Sequence, residues 1–184
     1  MKKIELNLDG KQHNFEIANC WEDVTVLQFS KIYSKDENKT DYEHLVDMVT
    51  ILSNIPKDVI MEMTTQQFQL LVEEIQFIKT EIKYEEKEVI TINKEDYYFK
   101  SDYNQLTVGE DISLKIIMEE QNEGKTIYSL LPKMLCVFLR KKIDGKLEKF
   151  NESFMNRESL FNKVKIIDVN NQFTFFLNGL KQSD

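Results

Sequence analysis

The chain has 184 residues, a formal net charge of −8 and 41% apolar residues. Length and apolar content suit one folded domain with a real core. Five glycines and two prolines argue against a disordered or turn-rich all-β chain, the acidic balance disfavours nucleic acid as the main partner, and no apolar run reaches the roughly 18–20 residues of a membrane span.

Ile4, Leu6 and Leu8 alternate with polar residues, the period of a half-buried strand. Asp9-Gly10 is a two-residue hairpin turn, and Phe15 and Ile17 lie on the return strand. Thr25 with Gln28 three residues on forms a capping box ahead of a helix carrying Val26, Phe29, Ile32 and Tyr33. Trp21, the only tryptophan, precedes it as a core anchor or staple. Thr40 with Glu43 caps the next helix, whose stripe is Leu45, Met48, Val49 and Leu52. Ser53-Asn54-Ile55 breaks it, and Pro56 suits the first position of a short helix to Met63. Thr64 with Gln67 caps a further helix bearing Phe68, Leu71, Val72, Ile75 and Ile78.

Lys79–Lys87 is a charged, solvated stretch. Val89, Ile90 and Ile92 face Tyr97, Tyr98 and Phe99 across Asn93–Asp96, which predicts a second hairpin with a sticky aromatic face. A small sheet shared by the two hairpins is open at this point. Thr107 and Glu110 form another capping box, for a helix to about Asn122 closed by Gly124. Its apolar positions are Ile112 and Ile116, with Leu114 and Ile117 beside them. Ile127–Ile143 is the most apolar segment and reads as the central buried helix, with Pro132 in its first turn. Arg140, Lys141 and Lys142, with Lys146 and Lys149, read as a charged helix C-terminus complementing the dipole. Asp144-Gly145 is a turn before an extended piece to Phe150, and Asn156–Val164 a short helix. Asp168 is expected to cap a last helix closed by Gly179, with Phe173, Phe176 and Leu177 inward. The fold class is therefore α+β, a predominantly helical single domain over 1–184. Residues 1–80 are a hairpin plus a helical ladder, 88–100 a surface hairpin, and 106–184 a helical C-terminal half.

No reaction is written in the sequence. His13 and His44 have no partner at metal-ligand spacing. Cys20 and Cys136 are far apart, which suits a reduced cytoplasmic setting, and neither sits in a strand–turn–helix signature for a nucleophile. There is no phosphate-binding loop, dinucleotide fingerprint or calcium loop. The expectation is no enzyme, no cofactor and no metal. Met1-Lys2-Lys3-Ile4 runs into alternating polar residues, unlike a signal peptide.

Three stretches carry a resemblance: Trp21–Phe29, Leu52–Ile60 and Phe68–Ile78. Together with the N-terminal hairpin they resemble the layout of tailed-bacteriophage tail assembly chaperones over roughly residues 1–80. There a hairpin leads into helices joined by a Leu-x-x-(Ile/Leu)-Pro-x-x-x-(Ile/Val) break. Leu106–Glu110 and Phe175-Phe176-Leu177 look like stretches of other small phage proteins. The resemblance implies a non-enzymatic protein of tail or neck assembly. It would act in the bacterial host cytoplasm and bind phage tail, neck or portal proteins, with no membrane partner. The alternative it leaves is a permanent virion component, such as a portal, neck or tail ring or adaptor, built as a homo-oligomer. An enzyme using Cys136 or Cys20 is the third reading. The resemblance transfers no functional residue. Tyr97, Tyr98 and Phe99 are the expected partner-binding residues, since aromatics on an edge hairpin anchor partners. The competing expectation is that they pack on the protein's own helices.

Overall fold

The computed structural model describes residues 1–8, 10–34, 38–83, 86–100, 105–122 and 125–171. The fold is mixed α+β. In chain order it runs β1 (Lys2–Leu8), β2 (Lys11–Ile17), α1 (Val26–Ile32), α2 (Asp41–Leu52), α3 (Lys57–Glu62) and α4 (Thr65–Glu74). Then come β3 (Val89–Ile92), β4 (Glu95–Phe99), α5 (Val108–Asn122), α6 (Leu131–Phe138), β5 (Leu139–Arg140), β6 (Lys142–Ile143), β7 (Lys146–Leu147) and α7 (Glu158–Phe161). Two compact units divide these elements. One is Met1–Val24 with Lys35–Lys83, the other Thr25–Ser34 with Tyr84–Asp184.

In the first unit, β1 and β2 pair antiparallel from Lys2↔Ile17 to Leu8↔Lys11, so a two-residue turn joins them. Gly10 there has φ +76°, the left-handed backbone that glycine adopts without cost, while Asp9 lies outside the described residues. The break after α2 docks on the hairpin. Ser53 bridges Ile17, the Ala18 N–H donates to the Leu52 carbonyl at 2.7 Å, and the Asn54 side chain accepts from the Glu16 N–H at 2.7 Å. Pro56 takes the N-cap of α3, where its missing N–H costs nothing.

Thr40 and Thr64 both make complete capping boxes, with Glu43 and Gln67. Replacing Thr64 with alanine should cost about 1 kcal/mol in urea unfolding, while Thr64→Ser keeps most of it. The buried face of α2 is Val46, Val49 and Leu52; Leu45 and Met48 are its half-buried flanks. The stripe expected from the sequence is thus turned by one residue. The α-helix α4 ends at Glu74, and a 3-10 turn, Ile75–Lys79, replaces the predicted continuation to Ile78. That turn presents the Thr80 carbonyl to Trp21 Nε1 at 3.1 Å, and Phe77 meets the indole edge-on at 5.2 Å. Trp21 is buried, the anchor role expected of it.

The second unit is built on α6, where every residue but Lys133 is buried. Its helix is shorter than the predicted Ile127–Ile143. Ile127–Leu130 is a 3-10 turn capped by Thr126, and Pro132 sits in the first turn of α6. After Phe138 the chain turns into β5, because Leu139 and Arg140 pair with Phe99 and Tyr98 of β4. The sheet order is β3-β4-β5, and the β1-β2 hairpin forms a separate sheet. Asn93 and Lys94, at φ 52° and 68°, make the tight turn between β3 and β4. Asp144 and Gly145 make the turn between β6 and β7. Thr25 caps α1 with Gln28, and the Val26 N–H donates to the Val164 carbonyl at 2.8 Å. Phe29, Tyr33 and Tyr128 form an aromatic triad with centroids 4.7–5.8 Å apart.

The predicted Asn156–Val164 helix is a 3-10 turn, Glu152–Arg157, followed by the one-turn α7. Asp168 ends a 3-10 turn and accepts from Lys87 at 2.5 Å. Gly124 and the helix to Gly179, with Phe173, Phe176 and Leu177, lie outside the described residues. No helix among the described residues is long and apolar enough to cross a membrane.

Candidate functional site

Glu110 is the third residue of α5 and Arg140 the last of β5. Their side chains are about 3% and 1% exposed. Arg140 Nη2 donates to Glu110 Oε1 at 3.1 Å. Its Nη1 donates to the carbonyls of Cys136 (2.9 Å) and Leu139 (3.2 Å), satisfying the open C-terminal end of α6. The guanidinium also lies over Phe150 and Phe154, at 4.9 and 5.0 Å. The other Glu110 oxygen accepts from Lys100 Nζ at 2.5 Å, from the Thr107 N–H at 2.7 Å and from the Thr107 hydroxyl at 2.9 Å. Burial pushes the Glu110 carboxyl up, but Lys100 and the two Thr107 donors outweigh it and hold it below its ordinary value. Burial lowers Arg140, and Glu110 opposes that shift.

This node fixes the phase of α5. With Glu110 turned inward, Ser113, Leu114 and Ile117 share its face and are buried. At about 100° per residue, positions 108, 112 and 116 fall roughly half a turn away. Val108, Ile112 and Ile116 are accordingly 76%, 50% and 57% exposed. Of the four apolar residues read in this helix, Leu114 and Ile117 are thus buried beside Glu110, and Ile112 and Ile116 lie on the open side. The result is a row of three β-branched side chains at i, i+4, i+8 on the open side of a helix.

The basic run is corrected too, since only Arg140 serves the end of a helix. Lys141 pairs with Glu95 at 2.6 Å, and Lys142 Nζ sits 3.9 Å over the Tyr98 ring. Tyr97 and Phe99 are 2% and 8% exposed, so they turn inward and only half-buried Tyr98 of the three presents surface. Tyr97 meets Phe161 edge-on at 5.4 Å. Strand alternation is the reason: 97 and 99 share a face, and α7 covers it.

Cys136 is fully buried, and its thiol donates to the Pro132 carbonyl at 3.4 Å. Burial, reinforced by Glu158, pushes the thiol up to about 12, which removes it as a nucleophile near neutrality. Burial and Glu22 also raise Cys20. His13 is exposed and stacks on Phe15 at 6.0 Å, while His44 is half-buried on α2. Among the described residues no three His, Cys, Asp or Glu side chains are grouped to hold a metal. Comparisons with protein-family models, curated proteins and solved structures give no match.

Proposed function

We propose that this chain is a non-enzymatic protein of a tailed bacteriophage that acts in tail or neck assembly by binding tail, neck or portal proteins. The row Val108, Ile112 and Ile116 carries the binding half of this reading. Single exposed apolar residues are ordinary, but three in register on one helix face suit a partner groove or helix. The phage half rests on the hairpin-and-ladder layout of residues 1–80. The reading places the protein in the host cytoplasm during assembly, and its presence in purified particles, read by mass spectrometry, would make it a virion component instead.

The test is co-expression with tail, neck and portal proteins, followed by affinity capture. The intact chain should retain one of them. Ile112→Lys with Ile116→Lys should reduce that capture by at least about tenfold while unfolding stability stays within about 0.5 kcal/mol. Equal capture by the variant would remove the α5 face from the proposal, and no capture by the intact chain would remove the assembly role.

A further inference from the structure

The outer strand β3 runs beside a cleft of about 440 Å³, lined by Lys87, Val89–Ile92, Lys163, Val164, Lys165 and Asp168. The hairpin register fixes which backbone groups of β3 face that cleft. Ile92↔Glu95 closes the two-residue turn and is a hydrogen-bonded pair, as is Ile90↔Tyr97; the Phe99 N–H donates to the Glu88 carbonyl at 3.1 Å. Alternation then turns the N–H and C=O groups of Val89 and Thr91 away from β4, to the open edge. The side chains add charge. Three lysines and one aspartate give the cleft a formal charge of +2, in a chain of net −8. Lys87 is engaged by Asp168, and Lys163 is exposed.

We propose that the β3 edge accepts an extended acidic segment of a partner protein as an added strand. Val89 and Thr91 would supply the backbone pairing, and exposed Lys163 the selection for carboxylates. A second copy of this chain is a poorer occupant, because two-fold pairing through β3 brings both lysine sets together. The proposal is independent of the α5 face and of the phage reading.

The probe is a fluorescein-labelled peptide alternating glutamate and valine, titrated against the whole chain by anisotropy. It should bind, protect the Val89 and Thr91 amides from hydrogen exchange, and bind at least about tenfold more weakly to Lys163→Glu. Thr91→Pro removes the outward N–H but no β3–β4 ladder bond, and should weaken binding with β4 protection retained. A lysine–valine peptide should not bind. The proposal is overturned by absent binding to the intact chain, or by equal binding of a peptide N-methylated at alternate residues, which would mean charge attraction without strand pairing. Concentration-dependent self-association that protects Val89 and Thr91 without peptide would overturn it in favour of a second copy. Inorganic phosphate displacing the peptide at millimolar levels would reduce the cleft to an anion site.

Discussion

Glu110→Ala is expected to lower the unfolding free energy by about 3–5 kcal/mol, the usual cost of leaving one partner of a buried ion pair unpaired. The orphan would be Arg140, whose side chain is about 1% exposed. Arg140→Met should be less severe than Glu110→Ala. Methionine can still pack between Phe150 and Phe154, and Glu110 keeps Lys100 and Thr107. Combining the two changes should cost at least about 1 kcal/mol less than the sum of the singles, since the second removes the charge the first strands. Additive losses in urea unfolding would show that the pair is not coupled.

The same carboxyl gives the fold a signed pH dependence. Glu110 is held below its ordinary value when folded, so the unfolded chain binds its proton more readily. Its contribution is fully present above the unfolded value of about 4.3 and is lost as pH falls through the lower folded one. Glu148 acts in the same direction: burial pushes it up, but Arg157 and the Lys141 N–H outweigh this. Stability should therefore fall steeply between about pH 5 and pH 3, and Glu110→Ala should flatten that slope.

The parts legible in the sequence are those whose causes lie within one turn. Thr25, Thr40, Thr64 and Thr107 each meet a partner three residues on, so their boxes depend on nothing distant. The first hairpin follows from alternation and Asp9-Gly10, and the second from two apolar runs, though its strand begins at Glu95, inside the Asn93–Asp96 stretch read as the connection. What the sequence hides is set by residues far along the chain. The phase of α5 depends on Arg140, thirty positions after Glu110. The end of α6 depends on β4 offering Tyr98 and Phe99 as partners for Arg140 and Leu139. The exposed row contains two of the apolar residues singled out from sequence, Ile112 and Ile116, while Leu114 and Ile117 are buried, and nothing local decides between the two pairs. A capping glutamate that is also the buried ligand of an arginine has no local signature; only the later run of apolar residues ending in Arg140 hints at one.

The choice of strand face at β4 yields the second large effect. Tyr97→Ala should destabilise the protein by about 3–5 kcal/mol, in the range for emptying a buried aromatic site. Tyr97 fills space against Phe161, itself fully buried, and donates its hydroxyl to Glu95 at 3.2 Å; burial raises its phenol above the ordinary value. Lys141 and Arg157 also stand over its ring at 5.5 and 5.9 Å, so the loss includes two cation–ring contacts. Tyr98→Ala should cost under about 1 kcal/mol, because that ring is half-buried and carries mainly Lys142. Phe161→Ala should match Tyr97→Ala in size, and the double variant should fall short of the sum because both sides of one contact are then gone. Urea unfolding of the four variants decides the matter. If Tyr98→Ala collapsed the fold and Tyr97→Ala did not, β4 would present its other face to α7, and the register with Arg140 and Leu139 would have to shift by one residue. Without that shift Arg140, paired with Tyr98 and on the same face, would turn away from Glu110, so the two large effects test one arrangement from opposite sides.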